Sequence, residues 1–213
     1  MDRFLARLAR LDGDLVVSET HGFAYQHDMS LSVSYADDYF DKYVGYEGTE
    51  IAKRINAARV SLVNRHAGPD AGILDIGIGS GEFIKSRPNT FGFDINPKAV
   101  AWLKGQKRWS DSFCVFEGFT FWDVLEHVRE PESYFRKIQV GAFLFVSIPV
   151  FDSVSKVKKS KHYRPNEHYY YFTEQGFVNW MFEHRFRLLE ANDHETKAGR
   201  EGIMSFAFRK CPN

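Results

Sequence analysis

Residues 73–83 read Ile-Leu-Asp-Ile-Gly-Ile-Gly-Ser-Gly-Glu-Phe, an apolar run that carries one acid, Asp75, and leads into three glycines. The apolar run predicts a short buried strand over 73–76, and the glycines predict a turn from that strand toward a helix. Glycine has no side chain and accepts a positive φ, so the backbone at Gly77, Gly79 and Gly81 can approach a ligand closely. A helix N-terminus beyond the turn favours a carboxylate or phosphate. The stretch therefore predicts a ligand site at the end of a strand in an α/β sheet.

A second acid follows a second apolar run. Phe91-Gly-Phe93 ends in Asp94, and an acid at the end of the second strand usually binds the hydroxyls of a ribose. The dinucleotide pattern Gly-x-Gly-x-x-Gly would place its third glycine where Glu82 stands. The two acids and the glycine turn together predict a ribose-containing cofactor, and Glu82 disfavours a nicotinamide dinucleotide.

Three motifs then occur in the order of one known family. The pattern Asp-x-Gly-x-Gly-x-Gly at 75–81 resembles motif I of the class I S-adenosylmethionine-dependent methyltransferases; Phe91–Ile95 resembles their second motif and Phe119–His127 their fourth-strand segment. The resemblance covers about residues 47–210. It implies S-adenosylmethionine as cofactor and a Rossmann-like α/β fold: a mostly parallel seven-stranded sheet, helices on both faces and a C-terminal antiparallel hairpin. The cofactor-binding residues that it implies are Asp75, Gly77, Gly79, Gly81, Asp94, Ile95, Asp111 and Asp123.

The periodicity of the remaining chain predicts strands that alternate with helices. We expect strands over 73–76, 90–93, 115–122 and 142–148, a helix over 131–141, and helices capped by Thr49, Asn96 and Thr173. A hairpin is expected from 187–195 and 203–209. Only the short polar segment 104–114 is available for the family's third strand. The third strand is therefore truncated, or Trp109-Ser-Asp111 serves as an abbreviated adenine loop.

The composition of the chain limits the classes of protein to which it can belong. The chain has 213 residues, with 28 Lys and Arg against 28 Asp and Glu, so it shows no overall signal for binding polyanions. Its longest apolar stretch, 140–151, is too short to span a bilayer, and its N-terminus does not read as a secretory signal. We expect a cytoplasmic protein with a helical or lid-forming extension over 1–46 and a methyltransferase domain over 47–213. In the extension, residues 2–11 predict a helix, and the tyrosine-rich segment 35–46 predicts a lid over the cofactor or an aromatic packing corner.

Three acid and histidine side chains follow the fourth strand. Asp123, Glu126 and His127 have the spacing of one helical face. They brace a turn, line the methionine end of the cofactor, or hold a metal ion. The metal reading comes from a resemblance to the Glu-x-x-Glu-His motif of small-RNA 3′-terminal 2′-O-methyltransferases, but Asp123 replaces the first Glu and the later sequence differs, so we expect no metal. A hydroxyl acceptor needs a base near neutrality, and the candidates are His127 and His168, with His162 third.

A basic and aromatic segment follows the fifth strand. Residues 156–164 carry five cations in nine positions, and 169–172 are four consecutive aromatics. We expect this segment to form an ordered flap over the substrate, because cations beside aromatic faces suit anionic or ring-bearing molecules. The expected reaction is O-methylation of a small, anionic, sugar- or nucleotide-like acceptor. The alternatives are an RNA or nucleotide methyltransferase, with or without a metal, and a non-catalytic S-adenosylmethionine-binding protein.

Overall fold

The structure, a computed structural model, describes residues 9–28, 40, 45 and 48–212. The strands in this part of the chain are β1 (Arg10–Asp12), β2 (Leu15–Ser18), β3 (Phe23–Gln26), β4 (Ile73–Ile76), β5 (Thr90–Phe93), β6 (Gly118–Trp122), β7 (Phe143–Pro149), β8 (Tyr170–Phe172), β9 (Phe186–Asn192) and β10 (Ile203–Lys210). The α-helices are α1 (Glu50–Ala67), α2 (Glu82–Ser86), α3 (Pro97–Gly105), α4 (Glu132–Phe135), α5 (Glu174–Glu183) and α6 (His194–Lys197). Short 3-10 turns cover Leu125–His127 and Val154–Lys159.

The main sheet has the strand order β5-β4-β6-β7-β10-β9. Its first four strands are parallel, and β10 runs antiparallel to both β7 and β9. This confirms the predicted fold class, a mostly parallel sheet with a C-terminal antiparallel hairpin. The strands predicted over 73–76 and 90–93 have the observed bounds.

The third strand of the expected seven is reduced to a single parallel bridge between Gly92 and Trp109. Two backbone hydrogen bonds support it: Gly92 N donates to Arg108 O at 2.8 Å, and Ser110 N donates to Gly92 O at 3.0 Å. The bridge extends no further because the segment between α3 and β6 is short and polar, which offers a buried strand little apolar surface.

Helices cover both faces of the main sheet. Successive side chains on a strand point to opposite faces, so β7 sends Leu144, Val146 and Ile148 to one face and Phe145 to the other. The first face packs against α5 through Phe177, Trp180 and Met181. The second packs against α1 through Leu62 and Val63. These two layers hold the carboxyl ends of β4, β5 and β6 at one edge.

The N-terminal segment builds a second, antiparallel sheet with the order β1-β2-β3-β8. Phe23 of β3 pairs with Phe172 of β8, so the N-terminal strands share a sheet with a strand from much later in the chain. The helix predicted over 2–11 lies mostly outside the described residues, and its last two positions, Arg10 and Leu11, begin a strand. The division of the chain at residue 46 stays a prediction.

Three elements differ from the sequence prediction by more than one residue. The helix expected over 131–141 ends at Phe135, where the chain tightens into turns such as Lys137 N to Tyr134 O. The strand expected over 115–122 begins at Gly118. The strand expected over 187–195 ends at Asn192, and Glu195 lies instead in α6, fully buried. No helix of the described ranges has both the length and the apolar character needed to cross a bilayer.

Candidate active site

A cleft of about 700 Å³ opens at the carboxyl ends of β4, β5 and β6. This is the position at which open α/β sheets bind ligands, and the volume is typical of small-molecule sites, roughly 300–1,000 Å³. Its walls include seven of the residues singled out from the sequence: Asp75, Gly77, Gly79, Asp94, Ile95, Asp123 and His127. The structure therefore brings most of the predicted site together.

The glycine turn adopts the backbone conformation that the sequence predicts. Gly77, Gly79 and Gly81 have φ values of 72°, 55° and 76°, a region that disfavours other residues. Close packing also requires glycine: a Cβ on Gly77 would lie 2.6 Å from Val124 Cγ2, and one on Gly81 would lie 2.5 Å from the Trp102 ring. Gly77 and Gly79 line the cleft, whereas Gly81 packs behind it.

Asp94 lies at the end of β5 with its carboxylate fixed by the backbone. One oxygen accepts a hydrogen bond from Ile78 N at 2.9 Å, and the other accepts one from Asn96 N at 2.8 Å. Burial raises the pKa of Asp94, and these hydrogen bonds oppose the rise. Beside it, the side chain of Ile95 is 67% exposed at the cleft wall. An oriented acid next to an exposed apolar side chain fits a nucleoside, with the acid toward the ribose and the apolar group toward the base.

Asp75 is almost fully buried beneath the turn. Its carboxylate accepts a hydrogen bond from the Thr120 hydroxyl at 2.6 Å, which ties β4 to β6. Burial raises the pKa of Asp75 to about 7, although the Thr120 hydrogen bond acts against the rise.

Asp123 follows β6 in the left-handed conformation, with a φ of 57°. Its carboxylate contacts Arg59 of α1 at 2.8 Å and Arg200 at 2.6 Å. Both arginines also bind the buried carboxylate of Glu195, at 2.7 Å and 2.6 Å. Burial acts to raise the pKa of Asp123, but the attraction of Arg200 and Arg59 outweighs it and holds the pKa well below its usual range. The two cations and two anions form a closed network, called here the arginine–acid network, that joins α1 and the β9–β10 connection to the cleft.

Glu126, His127 and His168 meet beside the cleft. His127 lies on its wall, and the ring of His168 stands edge-on to the His127 ring with 4.5 Å between centroids. His127 Nδ1 lies 2.9 Å from the carbonyl oxygen of Glu167. A carbonyl oxygen only accepts hydrogen bonds, so Nδ1 is the donor and the neutral ring carries its lone pair on Nε2. Burial lowers the pKa of His127, and burial together with His127 lowers the pKa of His168 to about 3.

Two predicted site residues lie away from the cleft. Asp111 is exposed and is not among the residues of the cleft wall, so the structure does not bring it to the other cofactor-binding candidates. His162 binds the carbonyl oxygen of Glu201 at 2.7 Å and is not among the residues of the cleft wall. The role assigned to each of them from the sequence stays a prediction that this geometry does not support.

The basic segment does not form the expected flap. Its 3-10 turn packs on the second sheet through Val154 and Val157, and Lys158 lies within 3.5 Å of both Asp12 and Asp14. No residue of 156–172 is found on the cleft wall formed by the described residues. The prediction was wrong because several cations of the segment pair with acids away from the cleft: Lys158 with the N-terminal acids, Lys161 with Glu201 and Arg164 with Glu167. A basic run gives no sign of such partners.

Two residues of the site, Glu195 and Arg200, were missed by the sequence analysis. Both lie in the connection between β9 and β10, which reads as an ordinary polar hairpin loop. Arg59 of α1, which binds both acids of the network, is likewise only 16% exposed. Nothing in the local pattern marks these charges as buried, because their burial depends on partners from other parts of the chain.

The glycine turn after β4 and the acid after β5 line one cleft at the edge of a parallel sheet. This arrangement is typical of α/β proteins that bind a nucleoside cofactor. A family model described as a methyltransferase domain matches residues 49–191, and the chain belongs to this family. The family and the fold confirm the prediction of a class I methyltransferase, an enzyme that uses S-adenosylmethionine. A sequence comparison with curated proteins finds no match.

Solved structures share the fold at low sequence identity. The 1,6-didemethyltoxoflavin-N1-methyltransferase of Burkholderia thailandensis, with bound 1,6-didemethyltoxoflavin and S-adenosylhomocysteine, has a TM-score of 0.57 and 14% identity over 96% of this chain and 100% of its own. The N-methyltransferase NodS of Bradyrhizobium japonicum has a TM-score of 0.55 and 12% identity over 82% and 98%. A possible histamine N-methyltransferase of Thermotoga maritima has a TM-score of 0.56 and 14% identity over 82% and 97%. At these identities the likeness concerns the fold alone.

Proposed function

We propose that this enzyme methylates a hydroxyl group of a small, ring-bearing molecule. The observation that carries the proposal is the position of His127, which lies on the wall of the same cleft as the glycine turn and Asp94. Its Nδ1–H is committed to the Glu167 carbonyl, so Nε2 is the atom able to accept a hydrogen bond from a hydroxyl. His127 is the only predicted histidine candidate on the described cleft wall.

The cofactor end of the cleft would hold S-adenosylmethionine through residues of β4 and β5. Asp94 would bind the ribose hydroxyls, Ile95 would cover the adenine, and Gly77 and Gly79 would allow close approach of the backbone. When bound, the cofactor supplies an electrophilic methyl group. The protein then has to orient the acceptor and exclude water. Asp75, buried under the glycine turn, would hold that turn rigidly in place for the cofactor.

His168 acts as a positioning residue in this proposal. It is 5% exposed and contacts the cleft through the edge of the His127 ring. Its contact fixes the plane of His127, together with the hydrogen bond to Glu167.

Residue Phe40, which lies in the segment predicted as a lid, lines the cleft and packs against the apolar cluster that contains Ile78 and Ile84. We include Phe40 in the binding site, as a cover for the bound cofactor.

The charge of the described cleft favours an uncharged acceptor over RNA. Arg59 and Arg200 line the cleft, but Asp123 and Glu195 neutralise them. The basic segment that suggested an anionic acceptor packs on the second sheet. Polyanion binding depends on cations that can exchange counterions at the surface. Aromatic walls such as Trp122 and Tyr134 instead suit a ring.

The test is a label-transfer assay. The protein is incubated with S-adenosylmethionine carrying a deuterated methyl group and with a panel of phenols, hydroxylated heterocycles and sugars, with total RNA in a parallel reaction. Mass spectrometry should find the label on oxygen in a small molecule. Label on nitrogen or in RNA would overturn the proposal. An unlabelled panel in the presence of tight S-adenosylhomocysteine binding would favour a non-catalytic cofactor-binding protein.

A further inference from the structure

The side chains of Glu126, His127 and His168 form a cluster outside the cofactor end of the cleft. Each offers one ligand atom, and these atoms lie within 4.8 Å of one another. Glu126 and His127 belong to the turn after β6, whereas His168 precedes β8. Two hydrogen bonds fasten these segments together: Tyr169 N donates to Glu126 O at 2.7 Å, and His127 Nδ1 donates to Glu167 O at 2.9 Å. The cluster is therefore held by a fixed backbone frame.

Glu126 is unusual because it is buried without full hydrogen bonding. The residue is 1% exposed, and its Oε2 atom has no hydrogen-bond partner among the described residues. Leaving a buried polar group unsatisfied is unfavourable, and more so if the group is charged. Bracing a turn, the plainest role for this residue, does not require a carboxylate in such a place. A cation between Glu126 and the two imidazoles would satisfy it.

The two histidines are arranged as metal ligands usually are. His127 donates its Nδ1–H to a backbone carbonyl, which fixes the tautomer and directs the other nitrogen to a ligand, the common outer-shell arrangement of metal-bound histidine. His168 is buried against it with only 5% exposure.

Contrary to the expectation from the sequence, we propose that Glu126, His127 and His168 bind one divalent transition-metal ion, and that zinc fits this donor set best. Two imidazole nitrogens and one carboxylate oxygen are a known set for zinc, whereas magnesium and calcium prefer oxygen ligands throughout. Ligand atoms around a tetrahedral zinc lie about 3.4 Å apart, as follows from bonds of about 2.1 Å. The three ligand atoms are now at most 4.8 Å apart. Side-chain rotations that move these atoms by about 1 Å would bring them to the spacing that zinc requires.

The ion would lie at the wall of the cleft that His127 provides. It would have one position left for a further ligand, because a catalytic zinc site takes three protein ligands and leaves its fourth position open. With the ion bound, Nε2 of His127 is a metal ligand and no longer accepts the proton of the acceptor. An acceptor hydroxyl at the open position would instead release its proton to solvent more readily, because the ion acts as a Lewis acid. That consequence rests on the proposed function, whereas the site itself does not.

The experiment measures metal binding without turnover. Full-length protein is stripped with a chelator, dialysed, and titrated with Co²⁺ as a spectroscopic probe and with Zn²⁺ by calorimetry. We expect one ion per chain, a visible absorption band for bound Co²⁺, displacement of Co²⁺ by Zn²⁺, and no competition by Mg²⁺. Absence of the band, or tighter binding of Mg²⁺ than of Zn²⁺, would overturn the proposal with the wild-type protein alone.

Matched variants locate the ion. Glu126→Gln and His168→Gln should each weaken Zn²⁺ binding by at least about 100-fold, beyond the 10–100-fold typical of outer-shell changes. Glu167→Gln and His162→Gln change the same residue types nearby and should leave binding unchanged. Binding that is equal in all four variants would mean adventitious capture by surface histidines and would overturn the site. S-adenosylhomocysteine affinity, measured on the same samples, reports separately on the cofactor end, and the label-transfer assay reports separately on methyl transfer.

Discussion

The two ends of the cleft are built in different ways. At the cofactor end, the glycine turn and Asp94 belong to one continuous strand–turn–helix–strand unit, from β4 to β5. At the acceptor end, His127 precedes β7 in the chain and His168 follows it. The arginine–acid network beside them joins α1 to the β9–β10 connection. The first end is encoded locally, and the second exists only after distant parts of the chain have packed together. Changes at the two ends should therefore affect different measurements.

The largest expected effect is on turnover, from a change at the acceptor end. His127→Gln should lower kcat by about 10²–10⁴-fold, the range for loss of a group that handles the acceptor proton. S-adenosylhomocysteine affinity should stay the same, because the ribose and adenine contacts lie at the other end. Steady-state kinetics and calorimetry check the two quantities. His162→Gln is the control and should change neither; a large loss of turnover in that control would contradict the placement of the acceptor.

The next effect is on stability, through the arginine–acid network. Glu195 is fully buried and pairs with Arg59 and Arg200 at 2.7 Å and 2.6 Å. Glu195→Gln would leave both cations facing Asp123 alone, and breaking a buried ion pair costs about 3–5 kcal/mol. Urea unfolding at pH 7 measures the loss in the free energy of unfolding. Glu201→Gln, which removes an exposed partner of Lys161, should have no measurable effect; an equally small effect in both variants would show that the network carries no stability.

A smaller effect is expected on cofactor affinity, from a change at the local end. Asp94→Asn removes a charged hydrogen-bond acceptor for the ribose and should weaken S-adenosylhomocysteine binding by about 1.5–3 kcal/mol. Calorimetry measures this directly. Asp111→Asn provides the matched comparison, because Asp111 is exposed away from the described cleft. Unchanged affinity in Asp94→Asn would contradict the proposal that Asp94 binds the ribose. Weaker S-adenosylhomocysteine binding by Asp111→Asn would instead support the adenine loop predicted from the sequence.

The fold was predictable wherever the signal is local. The bounds of β4 and β5 follow from short apolar runs, one containing an acid and the other followed by one. Thr49, Asn96 and Thr173 cap their helices as expected, because a cap depends on neighbours within three residues. The second sheet was not predicted. It pairs Phe23 with Phe172, and no local pattern reveals which strands will meet across such a separation.

The same contrast between local and long-range signals applies to the residues of the candidate site. Asp94 and the glycine turn could be found from spacing, because the ligand's requirements fix that spacing. Glu195 and Arg200 could not, since their burial depends on Arg59 from α1. The pairing of His127 with His168 was expected only as two separate histidines near the acceptor; their contact, and the buried carboxylate of Glu126 beside them, required the packing of β8 against the turn after β6.

The smallest predicted effect tests the scaffold away from both ends of the cleft. Glu190 on β9 binds Arg65 at 2.7 Å and His66 at 2.8 Å, and the Arg65 hydrogen bonds lower the pKa of Glu190 to about 2. Because the folded pKa lies below the ordinary value of about 4.3, the stabilisation is fully present above about pH 5 and is lost as the pH falls toward 2. Glu190→Gln should therefore cost about 1–2 kcal/mol at pH 7, after allowance for partial exposure, and less at pH 3. Urea unfolding at the two pH values measures the difference, with Glu50→Gln on α1 as an exposed control that should show none. A cost for Glu190→Gln that is the same at both pH values would mean that the ionised carboxylate is not what joins β9 to α1.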